Sequence, residues 1–284
     1  MSTDGPRTVC DTCPHACSLA EGQLGLCRAR RNVGGTVVAE NYGRLTSIAL
    51  DPVEKKPLAE YRPGCTVLSV GSYGCNLRCP FCQNHEISQA DSESVSWRDV
   101  SPAELVALAA RCRAEDPRMI GIAYTYNEPL VGWEYVRDCS ILAHEEGLSN
   151  VLVSNGCASA HVIEELAPLI DAANIDLKSF SPTTYRSCGG DLKTVCATIE
   201  RMVAEPTCHI EVTTLVVPGM NDTDGEMRAL TGWLASLSPD IVLHVTRFFP
   251  CWKMADARPT PVETVHRLAG VARERLDHVH VGNV

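Results

Sequence analysis

Nothing in this 284-residue chain approaches the roughly 20 consecutive apolar residues that a membrane-spanning helix requires. Its opening, MSTDGPRTVC, lacks the charged-then-apolar layout of an export signal. Basic residues are outnumbered, 25 Lys and Arg against 35 Asp and Glu, which leaves a net charge of −10. So acidic a chain is poorly matched to a phosphate backbone, and nucleic acid is excluded as its main partner. No G-x-G-x-x-G follows the first strand candidate and no G-x-x-x-x-G-K-[ST] occurs, so dinucleotide and NTP sites lose their usual signatures. Low-complexity tracts are missing as well. What remains is a globular composition, 45% hydrophobic and 21% charged, expected in the cytoplasm and away from membranes.

Cysteine, by contrast, is abundant. The chain carries 15, an odd number in a long sequence without an export signal, which argues against a secreted disulfide framework. Seven of them fall into two tight groups, Cys10, Cys13, Cys17 and Cys27, then Cys75, Cys79 and Cys82. Thiols clustered in a reducing compartment point to metal or redox chemistry.

Residues 1–34 are rich in Cys, Gly and Arg without sustained periodicity, and read as a small module held by something other than a core. Residues 35–50 suggest two short strands about a bend at Asn41-Tyr42-Gly43. From Thr66 the pattern becomes regular, with strand candidates at Thr66–Val70, Met119–Thr125, Val151–Ser154, Ala173–Leu177, His209–Val217, Ile241–Arg247 and His278–Val281. Helices are expected to begin near Ser101, Leu130, Ala160, Leu192, Asp224 and Pro261, the first marked by a Ser cap, a Pro and a Glu three residues on. About six βα units call for an α/β fold with a parallel sheet and helices outside it. Candidate functional residues follow several different strands, which favours a partial (βα)6 barrel over an open doubly wound sheet. The expected division is a Cys-rich N-terminal module over residues 1–64 and a barrel over residues 65–284.

The segment LSVGSYGCNLRCPFCQNHEIS places Cys75-x3-Cys79-x2-Cys82 directly after the first barrel strand. Three thiolates from one loop can hold three irons of a [4Fe–4S] cube and leave the fourth without a protein ligand. The rival readings are a zinc knuckle short of one ligand and a thioredoxin-like Cys79-Pro80-Phe81-Cys82 pair. A redox C-x-x-C opens a helix and has no use for Cys75. Here the chain resembles the radical S-adenosylmethionine (SAM) superfamily, whose signature is this spacing with an aromatic such as Phe81 before the last Cys. The resemblance implies that the open iron chelates SAM, whose reductive cleavage gives a 5′-deoxyadenosyl radical that abstracts hydrogen. It also assigns roles at successive strand ends. Thr125-Tyr126-Asn127-Glu128-Pro129 stands where relatives have a Gly-Gly-Glu-Pro-like turn meeting the SAM amine, which marks Asn127 and Glu128. Asn155 would face the ribose, Asp176 and Lys178 would lie at the SAM carboxylate, and Val217 would flank the adenine.

Across almost its whole length the chain is similar to the radical SAM enzymes of the AmmeMemoRadiSam system, relatives of pyruvate formate-lyase activating enzyme. The similarity runs through CDTCPHACSLAEGQLGLCRAR, DPVEKKPLAEYRPG, CQNHEIS, TYNEP, IDLKSF, EVTTLVVPGMND, RFFPCWKM and VHVGNV. It implies a low-potential electron donor of flavodoxin or ferredoxin type. The substrate is expected to be a glycine of a partner protein, as for a glycyl-radical activase, or alternatively a small molecule or peptide. A scaffold without catalysis is the third possibility.

The N-terminal cysteines have the count of a four-thiolate site, open to zinc or to a second iron–sulfur cluster, with His15 able to replace one thiolate. Cys251 follows the sixth strand, as a candidate hydrogen donor or metal ligand against the plainer role of small apolar filler. Cys112, Cys139, Cys157, Cys188, Cys196 and Cys208 are expected to pack. His244 and Arg247 are expected on one polar face of their strand, and Glu54, Lys55 and Lys56 as a solvated charge run.

Overall fold

The computed structural model describes residues 6–284. Its first strands are short: β1 (Thr8–Val9) pairs with β2 (Ser18–Leu19), and β3 (Arg30–Val33) with β4 (Thr36–Ala39). The paired hairpin turns at Gly34-Gly35, both at positive φ, and the bend expected at Asn41-Tyr42-Gly43 follows β4 but joins strands that do not pair with each other. β5 (Arg44–Leu45) leaves its sequence neighbours and pairs with β8 (Arg98–Asp99).

The main sheet contains eight strands, β6 (Ser47–Pro52), β7 (Thr66–Gly71), β9 (Met119–Tyr124), β10 (Ser149–Ser154), β11 (Ala172–Asp176), β12 (His209–Val216), β13 (Val242–Arg247) and β14 (Val279–Gly282). From β7 to β14 each strand is parallel to its neighbour, and β6 is an antiparallel edge on β7. The β-branched runs expected from the sequence thus became the parallel strands, buried on both faces. The division expected at residue 64 does not follow this pairing, because β6 and the connection after it belong to the main sheet.

The helices are α1 (His85–Ser88), α2 (Pro102–Glu115), α3 (Trp133–Glu145), α4 (Ala160–Leu166), α5 (Pro182–Ser187), α6 (Leu192–Val203), α7 (Asp224–Leu237) and α8 (Val262–Ala272). At α2 the Ser101 hydroxyl accepts the Glu104 N–H (3.3 Å) while the Glu104 carboxylate accepts the Ser101 N–H (2.8 Å), completing the capping box. The helices cover the sheet through one contiguous core that includes Leu105, Val136, Ile163, Ile199, Leu234 and Leu268. Among the described residues no helix is long and apolar enough to cross a membrane.

The β6–β7 connection is the element the sequence concealed. Val53 and Leu58 pack with Val67, Ile120, Val151 and Ala172 in a second, smaller core. Ala59 and Glu60 donate their backbone N–H groups (2.9 Å each) to the carboxylate of Glu211, near the start of β12. Glu211 also accepts from His209 (2.9 Å) and from His244. Glu60 in turn accepts from His278 Nδ1 and His280 Nε2, both at 2.9 Å. A loop that starts at one edge of the sheet thereby reaches β14 at the other, so the sheet is curled and strapped at the N-terminal ends of its strands.

Lys56 belongs to this strap and is not solvated: it is 3% exposed, 2.7 Å from Asp51 and lies over the Tyr126 ring. His244 and Arg247 do not share a face. Thr246 is on the His244 side, while Arg247 donates to the Thr260 carbonyl (2.7 Å).

Burial works against the Asp51 and Glu211 carboxylates, but the groups donating to them outweigh it and hold both below the usual range, Asp51 at about 2. Since their folded pKa values are depressed, the stability they add is complete above the unfolded pKa of about 4 and is lost as pH falls through the folded values. Thermal unfolding should show a clear loss between about pH 5 and pH 2.5, and a flat profile there would contradict this. Glu211→Ala strands two N–H groups and two imidazoles. It should cost about 3 kcal/mol or more, read as a lower urea midpoint at unchanged slope.

Candidate active site

The Cys75 loop leaves β7 at Gly71, a position with no room for a side chain: a Cβ there would lie 2.8 Å from the Cβ of Tyr126. Gly74 has φ +88°, and a Cβ would meet the Cys27 carbonyl oxygen at 2.5 Å and the Ala29 Cβ at 2.8 Å. The loop is therefore pressed between the turn after β9 and the N-terminal module. Asn127 staples it from the first side. Its Oδ1 accepts the Ser72 N–H (2.9 Å) and its Nδ2 donates to the carbonyls of Tyr73 and Gly74 (3.1 Å each). The side chain expected to meet a cofactor thus spends its hydrogen bonds on the backbone of the cysteine loop.

Cys75, Cys79 and Cys82 line one cavity of about 300 Å³ together with Phe81, Glu128, Asn155, Asp176 and Lys178. These residues come from the ends of β7, β9, β10 and β11, the end of a parallel barrel where sites are assembled. Glu128 is 2% exposed and accepts the Leu130 N–H (3.0 Å), the Ser154 hydroxyl (2.7 Å) and the Asn155 N–H (2.8 Å). Burial is the larger influence and raises its pKa to about 7. Asn155 Nδ2 donates to Asn76 Oδ1 (3.0 Å) and approaches the Cys75 sulfur at 3.6 Å.

Lys178 Nζ is 2.7 Å from Asp176 Oδ2. Burial alone would lower its pKa, but Asp176 and Cys79 outweigh this and hold it well above its ordinary value. Tyr185 of α5 fixes the turn by accepting the Lys178 N–H (3.1 Å) and donating to the Asp176 carbonyl (3.2 Å).

Two expected positions stand elsewhere. Val217 is buried but outside the cavity lining, where Thr213, Leu215 and Thr246 take its side; its N–H donates to Asn221 Oδ1 (2.7 Å). The Cys251 thiol approaches the Cys82 carbonyl at 3.5 Å and is also outside the lining. The segment around it braces the cysteine loop, since the Lys253 N–H donates to the Pro80 carbonyl (3.1 Å) and Trp252 stacks on His85.

Several contributors were not singled out beforehand. Cys188, expected only to pack, reaches the Cys79 thiol, a contact that draws Cys188 down and pushes Cys79 up. Asn221 donates from Nδ2 to the Lys178 and Leu215 carbonyls (2.8 Å each), joining the ends of β11 and β12. Pro57 of the strap lines the cavity. For Pro57 and Asn221 the only sequence signal was membership in the motifs DPVEKKPL and PGMND.

Burial raises the Cys75 thiol, with Glu128 adding to the effect. Such thiols ionise only beside strong positive charge, which iron supplies. Among the described residues no three His, Cys, Asp or Glu side chains close around one point as ligands of a single ion. The soft thiolates of the Cys75 triplet suit iron.

Comparison with known proteins agrees. The model of the radical SAM superfamily matches residues 69–230. A relative 36% identical over 99% of this chain, and 83% of its own length, is an uncharacterized protein of Methanocaldococcus jannaschii. A domain of pyruvate-formate lyase-activating enzyme from Bacteroides vulgatus superposes with a TM-score of 0.51 at 16% identity, covering 58% of this chain and 99% of that one. A radical SAM methyltransferase from Sphaerobacter thermophilus gives 0.56 at 21% identity, covering 78% and 67%. Streptococcus suis SuiB bound to its precursor peptide SuiA gives 0.58 at 12% identity, covering 77% and 48%.

The chain therefore belongs to the radical SAM superfamily and is an enzyme that uses a [4Fe–4S] cluster and SAM. A scaffold without catalysis is set aside. Like its superfamily it needs an electron donor.

A pH dependence follows from Glu128. Its carboxyl loses its proton near pH 7, and the carboxylate is the stronger acceptor for the N–H groups of an iron-bound amine, the partner the resemblance gives it. SAM affinity should therefore rise from about pH 6 to about pH 8, in wild type but not in Glu128→Gln, by titration calorimetry under anaerobic conditions. A wild-type affinity independent of pH over that range would contradict the role of Glu128.

Proposed function

We propose that the protein cleaves SAM reductively at the Cys75–Cys79–Cys82 cluster to generate a hydrogen-abstracting radical. The observation that carries this reading is the single cavity shared by the three thiols, Glu128, Asn155 and the Asp176–Lys178 pair. When bound, cluster and cofactor supply one-electron cleavage of the S–C5′ bond of SAM, leaving methionine and a 5′-deoxyadenosyl group. The chain's own residues bind and orient. Glu128 offers its carboxylate to the SAM amine, and Lys178 offers its ammonium to the SAM carboxylate. Asn155 holds the thiol loop against the end of β10, and Phe81 covers the apolar side of the cavity. Asp176 keeps Lys178 charged in a buried place, which a lone ammonium would resist. The electron comes from a protein donor of flavodoxin or ferredoxin type.

For the substrate we favour the backbone C–H of a glycine in a partner polypeptide. The resemblance to the activases supports this choice, and a small molecule or free peptide is the second reading. Incubation of reduced enzyme with candidate partner proteins, followed by electron paramagnetic resonance, separates them: a persistent glycyl signal supports the activase, and a mass change in a small product supports the other.

Cys75→Ala, Cys79→Ala and Cys82→Ala should each abolish 5′-deoxyadenosine formation, because two ligands do not retain the cube. Product from all three variants would overturn the assignment. Glu128→Gln and Lys178→Ala should weaken SAM binding about tenfold or more, about 1.4 kcal/mol, while iron content stays near wild type. Loss of iron in both would make these residues structural supports instead.

A further inference from the structure

Among the described residues Cys10, Cys13, Cys17 and Cys27 are not gathered as ligands of one ion, and the feature that the site leaves unused lies at the edge of the main sheet. β6 pairs with β7 along one side, and among the described residues no strand lies on its other side from Ser47 to Pro52. Alternate residues of such an edge turn N–H and C=O groups outward without partners. The stretch Ser47-Ile48-Ala49-Leu50 is also apolar and open to water: Ile48 is 38% exposed, Leu50 55%, and Ala49 is exposed between them. Edges are usually blunted by a lysine, a proline or a bulge. Here Asp51 is turned inward to Lys56 and Tyr126, and Pro52 stands at the very end of the strand.

The open stretch has defined limits. Before it, β8 already occupies the edge at Arg44 and Leu45. The chain then parts from Ser96 and Trp97, which leaves a groove of about 590 Å³ along residues 45–49. After it, Pro52 has no N–H to offer. Ser47 to Asp51 are therefore free to pair, and Ala49 is their centre. An antiparallel copy of the strand centred there sets Ile48 opposite Leu50 of the second copy, and Leu50 opposite its Ile48. Opposed residues share a face, so the four side chains meet as one apolar cluster on the outer surface. No like charges are opposed, since Ser47 meets Asp51. At each end the charges are complementary. Arg98 lies beside Leu45, is exposed and is in no ion pair among the described residues. The register brings it to the residues after Pro52 of the second copy, where Glu54 is exposed and accepts the Gly64 N–H (2.6 Å). The other cations nearby are engaged within the chain, Arg44 with Glu40 and the Trp97 ring, Lys55 with Asp51.

We propose that β6 is a dimer interface: it pairs antiparallel with β6 of a second copy about a two-fold axis at Ala49 and joins the two eight-stranded sheets into one. A two-fold contact must be self-complementary, and an antiparallel strand paired with itself meets that condition without a second surface. Pairing gives the outward N–H and C=O groups their partners and removes Ile48 and Leu50 from water. Ile48, Ala49 and Leu50 do not line the cavity of the cysteine loop, so the interface stands independently of the radical reading.

Sedimentation equilibrium of the full chain from about 1 to about 50 µM tests this. The expected species is a dimer of twice the chain's mass, and a monomer throughout overturns the proposal. Ile48→Lys with Leu50→Lys opposes like charges across the axis and should give a monomer with the circular dichroism of wild type. A dimer as tight as wild type in that variant overturns the interface. Arg98→Glu should raise the dimer dissociation constant about tenfold, and Arg98→Glu with Glu54→Arg should restore it. No recovery in the exchanged pair overturns the antiparallel register. If the lysine variant does not fold, hydrogen exchange on wild type decides the interface. Amides of Ser47–Asp51 that slow as protein concentration rises support it, and exchange independent of concentration overturns it.

Discussion

One buried carboxylate ties the site together. Glu128 accepts hydrogen bonds from the backbone after β9 and from Ser154 and Asn155 at the end of β10, so its position and the register of two strand ends are the same fact. Asn155 passes that order to Asn76 and the Cys75 sulfur, and Asn127, next to Glu128 in sequence, holds the backbone of Ser72 and Gly74. A carboxylate removed from water in this way is costly unless every donor is in place. The same cost favours its accepting any further N–H donor brought into the cavity.

The cysteine loop has little regular structure of its own, only the four-residue helix α1 after Cys82. Its order comes from both sides: Cys27 and His15 from the N-terminal module, Lys253 and Trp252 from the segment after β13. Below, the strap that carries Pro57 closes the cavity and depends on Glu211, Glu60 and their histidines. Thus the module before the barrel and the connection beneath it both brace the walls of the cavity. Rigid support of this kind is what holding several ligands in register demands.

The parallel strands could be read from the sequence because buried β-branched runs bounded by turns have few other uses. The candidates Glu128, Asn155 and Lys178 came from the resemblance to the radical SAM superfamily, and the fold brings them to one cavity. The short strands could not, since β5 and β8 are two residues each and pair across more than fifty positions. Lys56 looked like surface because its partner Asp51 and its ring neighbour Tyr126 come from different elements. Asn127 lines the cavity, but its hydrogen bonds go to the backbone of a loop that only the fold brings near. Val217 lies outside the lining although Thr213 and Leu215 line it, because β12 ends at Val216 and the Val217 N–H is taken into the turn held by Asn221. Cys188 carried no signal: a lone Cys at a helix end becomes part of the site only when α5 delivers it to Cys79.

The central claim is that the iron left free by Cys75, Cys79 and Cys82 takes SAM as its ligand. Electron–nuclear double resonance on the reduced protein, with SAM carrying 15N at its amine, tests this most directly. The account predicts a nitrogen coupling to the cluster that disappears when SAM is omitted. A reduced cluster that shows no such coupling under saturating SAM would contradict it.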